Sequence, residues 1–498
     1  MSGAATVEDG TQPWESARPP DARQLHLVIA WSLEQPGRIG ESAEIAGPTM
    51  LGRGEPEHMQ GTSFARFVRW RPHATVPAPP LGDSRISRSQ LIMRPRSDGS
   101  LGLENVGRCK LFINGEEASV AALRPGDTIT LRNALVLLVV RRDARAVPRA
   151  DAAAPAFAFA GPDRHGIVGE SAAAWQLRAE LAFAAATDHH VLLRGASGVG
   201  KELAARALHA LSSRAGRPLI ARNAATLPEG LVDAELFGTA RNYPNVGSPE
   251  RAGLIGEADG SFLFLDEIGE LPPALQAHLL RVLDRGGEYQ RLGESRLRRS
   301  DLRLIGATNR DLAALKHDFA ARFTSRIELP GLEARREDIP LLLRNILRRA
   351  AAHNPAVAER FCSPAGADGE RELRVDPWLV EGLLRHRYTL HTRELERLVW
   401  RAIATSTAEF VGLTPEVRAE LNLSSRPSGP ESAGDAATTD AEPARAVVSH
   451  DALGRDQIVA ALAAASGRTV VAAEKLGLRN RYVLYRLMKK FGIQISDE

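Results

Sequence analysis

Residues 191–202 read VLLRGASGVGKE, a short apolar run followed by a loop with three glycines and a lysine. This order is typical of a buried strand that leads through a phosphate-binding loop into a helix, whose positive end faces the phosphates. Lys201 would reach the β- and γ-phosphates of the nucleotide. The residues that we predict to bind ATP here are Gly195, Ser197, Gly198, Val199, Gly200, Lys201 and Glu202.

Two further strand-like runs end in polar residues. FLFLDE at 262–267 ends in two carboxylates, of which Asp266 can hold Mg²⁺ and Glu267 can polarise an attacking water. The run at 302–307 leads to Asn309, whose amide can sense the γ-phosphate. A chance glycine-rich loop and a solvated acidic turn are the alternatives. Together, the three strand ends predict nucleotide hydrolysis in a parallel α/β domain.

Composition sets the limits of the remaining chain. The 498 residues suffice for about three domains of roughly 150 residues each. The formal charge of +3 excludes a globally basic surface, so that any nucleic-acid site must be a local patch. Two cysteines make no disulfide framework, and no apolar run is long enough to span a membrane. Without a secretory signal in the first 22 residues, we expect a soluble cytoplasmic protein.

The regions before and after the predicted nucleotide site differ in the secondary structure that their apolar patterns predict. Five short β-like runs, separated by Asn-Gly and Pro-Gly-Asp turns, predict an all-β sandwich; they span 25–31, 101–104, 111–113, 128–131 and 135–140. Apolar spacing over 337–405 predicts helices. The predicted order is a flexible arm (1–22), a sandwich domain (23–145), a linker (146–164), an α/β ATPase subdomain (165–335), a helical lid (336–423), a disordered linker (424–450) and a small all-α domain (451–498).

The last predicted domain carries a basic patch. Residues 468–490 contain seven Lys or Arg and one Glu, and their spacing reads as helix, tight turn, helix. Such a patch seeks phosphates, and the turn glycine favours a helix-turn-helix that binds DNA. A helical dimerisation domain with a solvated basic face is the alternative.

Seven motifs, spread over 167–342, resemble those of a known family. Residues 166–405 are similar to the AAA+ domain of bacterial enhancer-binding proteins, the activators of sigma-54 RNA polymerase. The matching strings are IVGE at 167–170, GASGVGKE at 195–202, NAATL at 223–227, ELFG at 235–238, FLFLDEIGELP at 262–272, GATNRDL at 306–312 and ARREDIPLL at 334–342. The resemblance implies an ATPase with Mg²⁺ that assembles into a homo-oligomeric ring, commonly a hexamer, and acts on RNA polymerase.

The same resemblance implies roles for individual residues. Glu202 after the loop lysine is the family's rule. Asn223 would restrain Glu267 until ATP binds, and Arg393 would take the sensor II position. Arg322 would be the second of two arginines that act on the neighbouring subunit's nucleotide, while Lys316 stands at the position of the first.

Both flanking domains also resemble domains of known families. The sandwich resembles a forkhead-associated domain, a phosphothreonine reader, through LGR at 51–53, ISRSQ at 86–90 and LFING at 111–115. This resemblance places Arg53 and Ser87 on the phosphate, with Arg88 beside them, although Gln90 replaces the family's structural histidine. The carboxyl-terminal segment resembles a Fis-type domain, in which the DNA-contacting residues would be Asn480, Arg481, Tyr482, Arg486, Lys489 and Lys490.

One departure from the family concerns its contact with sigma-54. The family's loop after ELFG reads Gly-Ala-Phe-Thr-Gly-Ala, whereas residues 242–247 here read NYPNVG. Pro244 replaces the phenylalanine and Asn245 the threonine. The sequence therefore predicts an ATP-hydrolysing, DNA-binding transcriptional regulator with an atypical contact loop, which engages sigma-54 polymerase or another form. The alternative is a non-activating repressor or scaffold whose AAA+ domain serves mainly for ring assembly.

Overall fold

The structure is a computed structural model that describes residues 23–54, 62–72, 74–143, 157–228, 230–284, 286–311, 313, 315–363 and 372–421. The predictions for the amino-terminal arm, for the linker at 424–450 and for the DNA-binding segment at 451–498 lie outside these residues. Among the described helices, none is both long enough and apolar enough to cross a membrane.

The amino-terminal part is a sandwich of two β-sheets. The larger sheet has the strand order β10-β9-β12-β13-β1-β2-β5-β6, and the smaller has β11-β8-β7-β3-β4. Apolar side chains from both sheets fill the space between them, as in other sandwiches. The strands are β1 (Arg23–Ser32), β2 (Ser42–Glu44), β3 (Thr49–Leu51), β4 (Ser63–Phe64), β5 (Val68–Arg71), β6 (Ala74–Pro77), β7 (Leu91–Pro95), β8 (Leu101–Asn105), β9 (Leu111–Ile113), β10 (Glu116–Ala118), β11 (Val120–Leu123), β12 (Thr128–Leu131) and β13 (Leu135–Asp143).

The predicted sandwich is confirmed, and five predicted strands appear as β1, β8, β9, β12 and β13. Each of these has a clear apolar pattern, because it contributes to the core. The segment around the prolines of 72–80 gave no strand signal, yet it forms the antiparallel hairpin β5–β6 at the sheet edge. Proline is tolerated on an edge strand, where no ladder partner needs its missing N–H.

The central part is an α/β domain built on a five-stranded sheet of order β15-β16-β19-β14-β20, in which each neighbouring pair is parallel. The three strands that the sequence predicted as central are β14, β16 and β19, so this prediction is confirmed. The strands are β14 (Val191–Arg194), β15 (Leu219–Asn223), β16 (Phe262–Asp266), β17 (Glu288–Tyr289), β18 (Arg298–Arg299), β19 (Arg303–Thr308) and β20 (Ser325–Glu328), with β17 and β18 forming a separate hairpin. The helices are α1 (Ala172–Ala185), α2 (Lys201–Leu211), α3 (Val232–Phe237), α4 (Gly253–Glu257), α5 (Pro273–Leu283) and α6 (His317–Ala321).

A helical subdomain follows the α/β domain, as the apolar spacing predicted. Its helices are α7 (Ile339–His353), α8 (Pro355–Phe361), α9 (Pro377–Arg385), α10 (His391–Thr405) and α11 (Pro415–Glu420). Its core is continuous with one face of the β-sandwich, since Trp31, Val136 and Leu138 pack in the same buried cluster as Leu379 and Leu383. The sandwich and the lid thus share apolar packing.

Candidate nucleotide site

The glycine-rich loop connects β14 to α2 and packs tightly against the lid. Gly200 caps α2 in a left-handed conformation that glycine adopts readily. A side chain on Gly198 would collide with the Leu390 carbonyl, because its Cβ would lie 2.1 Å from that oxygen. Glycine at this position therefore lets the start of α10 approach the loop.

Lys201 begins α2 and is buried beneath the loop. Its Nζ donates to the Gly195 carbonyl at 3.0 Å and lies 4.0 Å from Oε1 of Glu267. The lysine therefore lies between the phosphate-binding loop and the carboxylate predicted to polarise water. A positive charge in this position can neutralise phosphate oxygens that enter the loop.

Asp266 ends β16 at the edge of the sheet, and Glu267, the residue after it, lies next to Lys201. The Glu267 N–H donates to Oδ1 of Asp266 at 2.9 Å, and Glu267 has a φ of +48°. This left-handed conformation is uncommon for a residue with a side chain, and such conformations cluster at functional sites. The backbone therefore turns sharply at Glu267, directly after the strand ends.

The two asparagines also lie at strand ends. Asn223 ends β15 in register with Asp266, and its side chain accepts a hydrogen bond from the Ala225 N–H at 2.9 Å. Asn309 follows β19 and is exposed, while its neighbour Arg310 pairs with Glu270 at 2.5 Å. The sheet thus brings the ends of β15, β16 and β19 to the edge where the glycine-rich loop begins.

Arg393 reaches the site from the lid. Its Nη1 donates to the Ser197 hydroxyl at 3.1 Å, and the Thr392 N–H donates to the Gly198 carbonyl at 3.1 Å. The residue predicted to occupy the sensor II position therefore contacts the phosphate-binding loop. The first turn of α10 lies directly over that loop.

Arg322 and Lys316 lie on the surface at the two ends of α6. Arg322 ion-pairs with Asp284 at 2.9 Å, and both side chains are about half exposed. Lys316 is exposed at the helix start. Both cations therefore lie on the surface, and among the residues that the structure describes neither has a hydrogen bond or ion pair to the phosphate-binding loop.

Two charged residues at this site escaped the sequence prediction. Arg335 is 6% exposed, and its Nη2 donates to the Val199 carbonyl of the loop at 3.4 Å. Burial lowers the pKa of its guanidinium. Asp338 is fully buried, and burial together with nearby Glu337 raises the pKa of its carboxyl. Both lie in the string ARREDIPLL at 334–342, and the sequence does not reveal their burial because a run of charges normally indicates a solvated helix start.

The segment 242–247 forms a compact turn rather than an open loop. Asn242 donates its N–H to Ser248 and accepts from the Gly247 N–H at 2.9 Å. The Tyr243 ring lies against Gly293, whereas Val246 is 96% exposed. Val246 is therefore the most exposed large apolar side chain of this turn, and Tyr243 is partly exposed beside it, at 40%.

The predicted phosphate-reading residues of the sandwich lie together. The Arg53 N–H donates to the Ser87 carbonyl at 3.0 Å, and the Ser87 hydroxyl accepts from the Arg108 N–H at 3.0 Å. The Arg53 Nε is buried without a hydrogen-bond partner among the described residues. Arg88 is exposed beside them.

Gln90 holds the loop that contains Ser87 through hydrogen bonds of its buried side-chain amide. It is fully buried, its Oε1 accepts from the Ser87 N–H at 3.0 Å, and its Nε2 donates to the Cys109 carbonyl at 3.0 Å. A glutamine amide has both a donor and an acceptor, as a neutral histidine ring does. Gln90 departs from the family pattern, but it still connects the loop that contains Ser87 to the loop that contains Cys109.

Comparison with known proteins identifies the group to which the chain belongs. Residues 167–330 match the sigma-54 interaction domain. The transcriptional regulatory protein ZraR of Salmonella typhimurium is 36% identical over 332 residues, which cover 65% of this chain and 68% of ZraR. The anaerobic nitric oxide reductase transcription regulator NorR of Aeromonas hydrophila is 35% identical over 347 residues, covering 67% of this chain and 65% of NorR. The crystal structure of NtrX from Brucella abortus in complex with ADP has 27% identity and a TM-score of 0.43, covering 66% of this chain and 70% of NtrX. The domain match and the extent of the similarity to ZraR show that the chain belongs to the sigma-54-dependent transcriptional regulators of the enhancer-binding type.

Proposed function

We propose that the protein hydrolyses ATP and uses the energy to remodel a transcription complex at DNA-bound sites. The observation that carries this proposal is the convergence of Lys201, Asp266 and Glu267 at the carboxyl edge of a parallel sheet. A scaffold that only assembles has no use for a complete hydrolytic set, which argues against the repressor or scaffold alternative. An ATPase assay over a range of protein concentrations tests it, since the specific activity should rise with assembly.

The chemistry follows from the types of side chain. Mg²⁺ fits this site because Asp266 supplies a carboxylate oxygen, a ligand that hard cations prefer, beside the phosphate-binding loop. Bound there with the nucleotide, the ion would neutralise charge on the phosphate oxygens. Glu267 takes a proton from the attacking water, and Asn309 orients that water towards the γ-phosphate. Asn223 restrains Glu267 until ATP is bound.

Assembly completes the proposed site. Arg322 lies on the surface, where it can reach the nucleotide of a neighbouring subunit in a homo-oligomeric ring, and a hexamer is the expected form. Lys316 offers a single point charge where the family has a planar guanidinium, so its contribution to charge stabilisation is weaker. Arg393, on α10 of the lid, contacts the loop at Ser197, so the position of the lid would depend on whether phosphates occupy the loop.

The β-sandwich is proposed to be a forkhead-associated sensor that reads phosphothreonine. The support is the pair of Arg53 and Ser87, joined by a backbone hydrogen bond, with the Arg53 Nε unpartnered among the described residues. A phosphate dianion would satisfy this donor through a charge-assisted bond.

We predict that Arg53→Ala weakens binding of a phosphothreonine peptide to the full chain by about tenfold to a hundredfold, the loss of one or two charge-assisted hydrogen bonds. Isothermal titration measures it. Arg94→Ala is the matched control, because Arg94 is an exposed arginine of β7 whose partner, Glu104, lies in the same domain. No binding of a degenerate phosphothreonine library to the wild-type protein would contradict the sensor assignment.

The DNA-binding proposal rests on the local charge of residues 468–490, which lie outside the described part of the chain. Asn480, Arg481, Tyr482 and Arg486 are proposed to enter the major groove at promoter-upstream sites. Lys489 and Lys490 would contact phosphates, which position a protein without reading sequence.

The turn at 242–247 limits the contact that the proposed ATPase can make with sigma-54. We predict that the wild-type protein, with ATP and an upstream site, forms few open complexes with sigma-54 polymerase in transcription in vitro. The proline at position 244 has no aromatic ring to contact the sigma factor, and its ring fixes the backbone φ angle. Pro244→Phe combined with Asn245→Thr should raise open-complex formation by about tenfold, as expected when an aromatic anchor returns to an interface.

The ATPase rate of both proteins serves as the control for this transcription experiment, because the exchange should leave it unchanged. Robust open-complex formation by the wild-type protein alone would overturn the claim. It would show that a turn with Tyr243 and Val246 performs the contact.

A further inference from the structure

The β-sandwich is joined to the lid by buried polar contacts as well as by apolar packing. The Trp31 Nε1 donates to the Val375 carbonyl at 3.0 Å. The hydroxyls of Thr128 and Thr130 each donate to the Glu381 carboxylate at 3.2 Å, and burial raises the pKa of this carboxyl. These contacts attach the sandwich to α9 and to the segment before it.

A first arginine of the sandwich contacts the start of the α/β domain. Arg71, at the end of β5, donates to both carboxylate oxygens of Glu170, at 2.7 and 3.2 Å. It also donates to the Phe157 and Ala158 carbonyls at 3.0 Å each, and its guanidinium lies 5.6 Å from the centre of the Trp175 ring. Both charged side chains are nearly inaccessible, at 11% and 4% exposure.

A second arginine of the sandwich contacts the segment before the lid. Arg142, on β13, donates to the Glu337 carboxylate from Nε at 2.9 Å and from Nη2 at 2.5 Å. Its Nη1 donates to the Ser42 hydroxyl at 2.8 Å, and its guanidinium lies 5.5 Å from the centre of the Trp70 ring. The arginine is thereby held in place from within its own domain.

Asp338 lies between these two ion pairs. Its Oδ1 accepts from the N–H groups of Glu170 and Ser171 at 2.8 and 2.9 Å, and its Oδ2 accepts from the Ser171 hydroxyl at 2.5 Å. Ser171 caps α1, and Asp338 directly precedes α7. This carboxylate therefore connects the first helix of the α/β domain to the first helix of the lid.

The connection continues to the phosphate-binding loop. Arg335 lies three residues before Asp338 on the same buried segment, and its Nη2 donates to the Val199 carbonyl at 3.4 Å. The side-chain contacts thus run from Arg71 through Glu170 to Asp338, and the buried segment 335–338 connects Asp338 to Arg335 and the loop. Arg142 joins the same series at Glu337, the neighbour of Asp338.

We propose that the β-sandwich is a positioning element of the ATP site, in which Arg71 and Arg142 hold the loop in its binding conformation through Asp338 and Arg335. This inference rests on the proposed binding of ATP at Lys201. Removal of either arginine leaves a carboxylate beside Asp338 without its cation. Buried like charges repel each other, so the segment under the loop loosens and ATP binds less tightly.

The test measures the affinity of the full-length protein for a fluorescent ATP analogue and the steady-state kinetics of ATP hydrolysis. Arg71→Gln and Arg142→Gln should each raise the dissociation constant about five- to tenfold, a typical size for coupling between sites. The change should appear in KM more than in kcat. Lys110→Gln is the matched control, because it breaks the exposed Lys110–Glu117 pair within the sandwich and should change neither value.

A charge exchange separates positioning from misfolding. Arg142→Glu alone should weaken binding, and Arg142→Glu combined with Glu337→Arg should restore much of it. Thermal melting of each variant checks that it is folded, and Arg142→Lys, which keeps the charge but loses the paired hydrogen bonds, should give an intermediate affinity.

The outcomes are distinct. A wild-type protein that does not bind the analogue refutes the proposed ATPase, not the coupling. Wild-type binding with unchanged affinity in the folded arginine variants overturns the positioning role. Tighter binding or faster turnover in those variants also overturns it, because the sandwich would then act as a brake.

Discussion

ATP turnover is expected to fall by about 10²- to 10⁴-fold in Glu267→Gln, the usual contribution of a positioned general base, while ATP binding is retained. Glutamine preserves the shape of the side chain, but it does not accept a proton from the attacking water. The Nζ of Lys201, 4.0 Å from the Glu267 carboxylate, remains available to the phosphates. Single-turnover hydrolysis and equilibrium binding of ATP measure the two effects separately.

Two further variants define this result. Lys201→Ala should lose binding itself, because it removes the buried cation beneath the loop. Glu257→Gln, in an exposed glutamate at the end of α4, should hydrolyse ATP at the wild-type rate. Normal turnover in Glu267→Gln would show that another group activates the water, and it would leave the left-handed turn at Glu267 without a catalytic reason.

Arg322→Ala should also abolish most turnover, by about 10³-fold or more, the usual size of the effect when a trans-acting arginine is removed. The arginine stabilises charge on the transferring phosphoryl group of a neighbouring subunit, so its loss should leave ATP binding in place. Because Arg322 is paired with Asp284 at the surface, Asp284→Asn is the matched control. If Arg322 served only this ion pair, both variants would behave alike.

Mixing subunits gives the sharper measurement for Arg322. Inactive Arg322→Ala and inactive Glu267→Gln proteins should regain part of the activity when combined. Some sites in a mixed ring would then receive Glu267 from one subunit and Arg322 from its neighbour. No recovery in rings that are shown to contain both subunits would place Arg322 outside the neighbouring site.

The sequence by itself determined the parts of this protein that depend on local pattern. The strands β14, β16 and β19, the glycine-rich loop and the polar residues at the strand ends could all be predicted. Apolar runs mark buried parallel strands, and Gly198 and Gly200 have backbone requirements that few other residues meet. The sandwich was also predictable, because its core strands are short apolar runs separated by recognisable turn sequences.

The tertiary structure alone decided which charged residues are buried and what they contact. Arg71 and Glu170 are 99 residues apart in the chain, Arg142 and Glu337 are 195 apart, and Thr128 and Glu381 are 253 apart. Each of them, read locally, is an ordinary surface residue, and the hairpin that carries Arg71 gave no strand signal. A buried charge is stable only when a partner meets it, and that partner is set by how the domains pack rather than by neighbours in sequence.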